Sequence, residues 1–190
     1  FDVLVREGKY SKSFEDFHSA IRFEEDDEKA TLREKRNTIV TALRDKLGDD
    51  VPPFAQFNQG SYSMHTGVVP LDGNFDIDVG LIFDCDKDEY SDPLELKKKV
   101  RDAANSNFRT VVIRRPCVTV NYMSDGEIAY HVDLVVYTKG DDGKLYLAKG
   151  KENSAEEHRI YETVPANRAL VEDHCADLLW ADTLIFVYPT

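Results

Sequence analysis

Three acidic side chains and one glycine–serine pair are the residues of this chain best placed to do chemistry. Asp76 and Asp78 stand at the head of an apolar run, residues 79–83, with Ile77 between them. A strand sends successive side chains to opposite faces, so the two carboxylates project together while Ile77, Val79, Leu81 and Phe83 cover the other face. Two carboxylates on one rigid edge suit Mg2+. Gln59-Gly60-Ser61 precedes them, its serine fifteen residues before Asp76. That pair opens a short helix, whose free backbone N–H groups and hydroxyl can hold phosphate oxygens. A phosphate grip beside a metal grip points to nucleotide chemistry.

Two-metal phosphoryl transfer needs a third carboxylate, because one ion holds the triphosphate and the other activates the attacking hydroxyl. Asp133 is the candidate. It lies within residues 129–137, otherwise mostly apolar or aromatic, where an unpaired charge is costly. It therefore wants a cation or a salt bridge, with Arg114 and Arg115 as the structural alternatives. Tyr137 falls on the same strand face about 13 Å further on, at about 3.3 Å per residue, which is near a nucleotide's length. Its ring could stack a base, or simply pack as a core edge. His131 shares that face and reads as a hydrogen-bonded structural residue. A decoy sits nearby: Asp84, Asp86, Asp88 and Glu95 have the spacing of a calcium loop, but Glu89 occupies the position where the sharp turn requires glycine. That run reads as a solvated loop end.

These groups need elements to position them. Thr31 and Glu34 read as a capping box, and Leu32, Ile39, Val40, Leu43 and Leu47 recur at helical spacing until Gly48, which predicts one long amphipathic helix. Pro52-Pro53 breaks the chain, residues 54–58 alternate as a short strand, and residues 61–68 read as a short helix. Leu71-Asp72-Gly73-Asn74 is a turn that delivers the strand of Asp76 and Asp78. Asp92-Pro93 with Glu95 starts a second helix running to about Asn105. Residues 110–122 and 128–138 are rich in Val, Ile, Thr and Tyr and read as adjacent antiparallel strands around a turn at 124–127. Residues 145–148 form another short strand, and residues 154–180 are helical in parts, interrupted near Pro165.

Composition narrows the partners. The chain has 190 residues, 42% of them apolar, and a formal net charge of −12. That is enough for a sizeable core, while the acidic balance disfavours a long nucleic acid. The short basic clusters Lys97-Lys98-Lys99 and Arg114-Arg115 read as solvated faces. Cys85, Cys117 and Cys175 are widely spaced and odd in number, which fits reduced thiols in a cytosol. No apolar run approaches the roughly 20 residues that span a bilayer, so no membrane partner is expected.

On these residues the chain resembles the polymerase-beta-like nucleotidyltransferases: Gln59-Gly60-Ser61, then Asp76-Ile77-Asp78, then His131-Val132-Asp133, in that order and rough spacing. With Tyr62 after the serine and Tyr137 after Asp133, it most resembles the bacterial CD-NTases of antiphage defence, relatives of cyclic GMP-AMP synthase. The resemblance covers about residues 28–165. It implies an α+β fold, with a mixed or antiparallel sheet flanked by helices including a long N-terminal one. It implies an N-terminal extension over 1–27, a catalytic core over 28–152, and over 153–190 the start of a C-terminal helical lobe largely absent from this chain. By the same likeness, Asp76, Asp78 and Asp133 are catalytic and ligate two Mg2+ ions, with Mn2+ as a substitute. Gln59, Gly60, Ser61 and Tyr137 bind substrate, and Asp133 draws the proton from the attacking hydroxyl. The expected activity is synthesis of a cyclic di- or trinucleotide second messenger from NTPs, ATP among them, in cytoplasmic CBASS signalling with a regulatory protein partner. The alternatives are a minimal enzyme transferring one NMP to a protein, RNA end or small molecule, and a degenerate nucleotide-binding module.

Overall fold

The computed structural model describes residues 10–21, 28–64, 67–70, 73–124 and 126–164. Its elements run α1 Tyr10–Ile21, α2 Glu28–Lys46, β1 Phe54–Gln59, α3 Gly60–Ser63, β2 Phe75–Asp86, α4 Leu94–Ala104, β3 Arg109–Ile113, β4 Val118–Ser124, β5 Glu127–Lys139, β6 Leu145–Lys149 and β7 Ile160–Thr163. The strands form one mixed sheet in the order β1-β2-β5-β4-β3. The β2–β5 pair is parallel and the other pairs are antiparallel. One edge of β5 is shared: β4 pairs its first part and β6 its end.

The core lies on one face of this sheet. Ile77, Val79, Leu81 and Phe83 of β2 are fully buried beside Val132, Leu134 and Val136 of β5, as alternation requires. The helices cover them. Leu32, Ile39, Val40 and Leu43 of α2 are buried, as are Leu94, Leu96 and Val100 of α4. Each such aliphatic side chain contributes about 1.5–3 kcal/mol relative to an exposed one. Arg44 and Lys46 in the last turn of α2 suit the negative end of its dipole. At the start of α4 the Asp92 carboxylate accepts from the Leu94 N–H at 2.9 Å, so Asp92 caps the helix.

Several expectations need correction. Helix α2 begins at Glu28, which puts Thr31 inside its first turns and not at the cap. Helix α3 stops at Ser63, and Val68 sits in a bridge. The single strand expected over 110–122 is two, because Pro116 lacks the N–H a ladder needs and the chain folds back between β3 and β4. Residues 10–21 of the expected extension form a helix. Strand β7 lies beyond residue 152 yet pairs with β6, so the sheet does not end there. The acidic residues 24–27, and the tail from residue 165, lie outside the described residues. Asp86, in the decoy run, caps the turn that follows it by accepting from the Asp88 N–H, and Asp84 pairs with Lys139 at 2.8 Å.

Lys97 is not on a solvated face. It is fully buried, and its ammonium donates to the carbonyls of Arg114, Arg115 and Gly150 at 2.7, 2.9 and 2.9 Å. Burial lowers its pKa to about 8. Three acceptors call for three N–H bonds, which only the protonated amine supplies. Among the described residues no helix is long and apolar enough to cross a membrane.

Candidate active site

The face of the sheet opposite α2 and α4 carries the acidic groups. Backbone register aligns Gln59 with Asp78, Asp78 with Asp133, Asp133 with Thr119, and Thr119 with Val112, one row across five strands. The next row holds Asp76, His131, Asn121 and Thr110. Asp78 and Asp133, distant in sequence, thus face the same side on neighbouring strands about 4.8 Å apart. Asp76 follows one pleat away, exposed, while Asp78 and Asp133 are half-buried.

Gly60 sits where β1 turns into α3, with φ +67°, a conformation costly for any side chain. A Cβ there would lie 2.0 Å from Asp78 Oδ2, so the carboxylate rests directly on the glycine backbone. This close approach ties the glycine–serine turn to the acidic row. Ser61 and Asp76 line one cleft of about 200 Å³, together with Lys29 and Arg33 of α2 and the rings of Tyr62 and Phe75. The two basic residues escaped the sequence reading. Their signal was present: they stand four apart at the start of a helix, on one face.

The remaining predicted residues are placed differently. Asp133 forms no ion pair with Arg114 or Arg115 among the described residues; its Oδ1 accepts from the Thr119 hydroxyl at 2.6 Å. His131 bonds Asn74 at 3.0 Å, in keeping with a structural role. Gln59 and Tyr137 are 5% and 2% exposed, and the Tyr137 hydroxyl donates to Gln59 Oε1 at 3.0 Å. The Tyr137 ring lies 5.8 Å from Phe57 in a small apolar cluster with Val135 and Leu147. The structure therefore gives Tyr137 a packed position in place of the open edge that base stacking calls for, and Gln59 supports it from β1. In the same cluster Cys117 is buried, and burial first, then the charge of Asp133, pushes its thiol up to about 11.

The oxygen donors of Asp76, Asp78 and Asp133 are of the type Mg2+ takes. Their common face and the Asp78–Asp133 register fit such an ion. Among the described residues no three His, Cys, Asp or Glu groups are gathered as a ready cage. What the fold supplies is the register that sets Asp78 beside Asp133, with Asp76 one pleat away on the same face.

Residues 54–137, from β1 to Tyr137, match the family described as "Cyclic GMP-AMP synthase DncV-like, nucleotidyltransferase domain". The fold resembles that of the CD-NTase CdnG of Bradyrhizobium diazoefficiens, solved in complex with GTP, at TM-score 0.58 and 16% identity over 77% of this chain and 41% of that one. It resembles E. coli CdnC solved with ATP at TM-score 0.58 and 20% identity, over 90% of this chain and 52% of CdnC. CdnC in its complex with HORMA-deltaN aligns at TM-score 0.59 and 20% identity, over 90% of this chain and 51% of that one. The chain thus spans about half the length of these relatives. The segment from β1 to Tyr137 thus resembles a DncV-like nucleotidyltransferase domain, and the fold is the polymerase-beta-like one these proteins share.

Proposed function

We propose that this protein is a Mg2+-dependent nucleotidyltransferase that makes a cyclic di- or trinucleotide second messenger from NTPs, acting in the cytosol in bacterial antiphage (CBASS) signalling. The observation that carries the reading is the row that sets Asp78 beside Asp133 on neighbouring strands, with the Asp78 carboxylate against the Gly60 turn. The backbone N–H groups and hydroxyl of the Gly60-Ser61 turn hold the triphosphate. Lys29 and Arg33 add positive charge to the same cleft. Asp76, Asp78 and Asp133 hold the metal, which when bound neutralises the phosphates and lowers the pKa of the attacking ribose hydroxyl. Asp133 accepts that hydroxyl's proton. The net charge of −12 favours small nucleotides over a long polyanion as substrate. By analogy with CdnG and CdnC, GTP and ATP are the first substrates to test, and a HORMA-type protein is the first regulatory partner.

The test is incubation of the full-length protein with labelled NTPs and Mg2+, beside Asp78→Asn and Asp133→Asn variants that match its circular dichroism. A small phosphatase-resistant product is expected, reduced about 100-fold or more in each variant. Label on a protein or RNA would instead indicate transfer of a single NMP. No product from any NTP pair refutes the proposal.

A further inference from the structure

The acidic row continues one strand beyond Asp133 to Thr119, which is 1% exposed and 2.6 Å from Asp133 Oδ1. An ionised carboxylate only accepts, so the threonine hydroxyl donates to it. The other neighbour of Thr119 Oγ1 is Cys117 Sγ at 3.6 Å, and with the hydroxyl proton already committed, the thiol is the donor there. The result is a directed chain from thiol to hydroxyl to Oδ1. Threonine has restricted χ1 freedom in a strand, and burial holds it further, so the donor does not wander.

Packing alone does not call for this hydroxyl. Thr119 lies between Val118 and Val120, both fully buried, and a valine has nearly the same shape. The sheet elsewhere carries a buried threonine hydroxyl, Thr138 Oγ1, with no hydrogen-bond partner among the described residues. What distinguishes Thr119 is the carboxylate it touches. We infer that Thr119 is a positioning residue for the proposed reaction: its hydroxyl pins Asp133 Oδ1, which fixes the carboxylate and leaves Oδ2 for the metal or for the proton of the attacking hydroxyl. The kinetic part of this inference rests on the proposed function, whereas the ion-binding part does not.

The experiment compares the full-length protein with Thr119→Val and Thr119→Ser variants in two assays. One is a thermal-shift titration with Mg2+ alone, without nucleotide; the other is NTP turnover. Loss of an outer partner to a liganding group costs about 10–100-fold in affinity or activity, so valine is expected to raise the Mg2+ midpoint about tenfold and lower kcat with the NTP KM unchanged. Serine, which keeps the hydroxyl, is expected to restore both. A valine variant whose Mg2+ midpoint and kcat stay within about twofold of the parent overturns the inference, as does a parent that shows no Mg2+-dependent shift. Should the parent bind Mg2+ but turn over no NTP, the proposed function falls while the midpoints still decide the role of Thr119. If the valine protein melts too early to titrate, Thr119→Ala takes its place, with the same outcomes.

Discussion

Replacing Gly60 by alanine separates the cost of backbone strain from the cost of moving a carboxylate. At φ +67° an L-residue pays about 1–2 kcal/mol for the left-handed conformation. In a protein of this size that is a fall in Tm of about 2–8 °C. The new Cβ also meets Asp78 Oδ2 at 2.0 Å, and reaching the 3.4 Å of ordinary contact means a carboxylate shift of about 1.4 Å. Misplacing a reacting group by about 1 Å can cost about 100-fold in rate, so turnover should fall at least that far. Gly73 is the control: it has the same φ of +67°, but a Cβ there meets nothing within 4 Å. Both variants should melt at similar temperatures, and only Gly60→Ala should lose activity out of proportion. The assay is turnover of labelled NTPs at a temperature where circular dichroism shows both proteins folded. If Gly60→Ala keeps turnover within about threefold of Gly73→Ala, the close approach of Asp78 to the turn has no catalytic importance and the reasoning fails.

Three further outcomes follow from two buried polar groups. Lys97→Met removes the donor to three carbonyls and should lower stability by about 3 kcal/mol, read by urea denaturation. Because burial holds the Lys97 pKa at about 8, below the 10.5 of the free side chain, the folded state binds fewer protons than the unfolded chain between those values, so the advantage of the parent over Lys97→Met should widen as pH rises from about 8 to about 10. A gap that stays flat or narrows contradicts that sign. Tyr137→Phe strands the Gln59 carbonyl oxygen in a buried site and should cost about 1–2 kcal/mol in stability with the NTP KM unchanged. A raised KM at unchanged Tm would show that the hydroxyl serves the nucleotide.

Much of the site was legible because the signals are local. Alternation around Ile77 placed Asp76 and Asp78 on one face whatever the rest of the chain did, since strand geometry sets side-chain parity residue by residue. The same rule marked Asp133 as a charge among apolar neighbours, and helical spacing marked the buried stripe of α2. The faces of β2 and β5 could therefore be read before their partnership was known.

Their partnership was decided by tertiary structure. That β2 lies parallel to β5, with Asp78 opposite Asp133, depends on how α4, β3 and β4, which lie between them in sequence, pack, and a slip of one residue would have sent one carboxylate into the core. Burial of Lys97 came from carbonyls of residues 114, 115 and 150, invisible in a run of three lysines. Tyr137 went inward because Gln59 and Phe57 on β1 reach it across the sheet. Sequence alone determined which side chains can do chemistry and which way each strand turns them. Only folding decided which of them meet, because register and burial are set by contacts far apart along the chain.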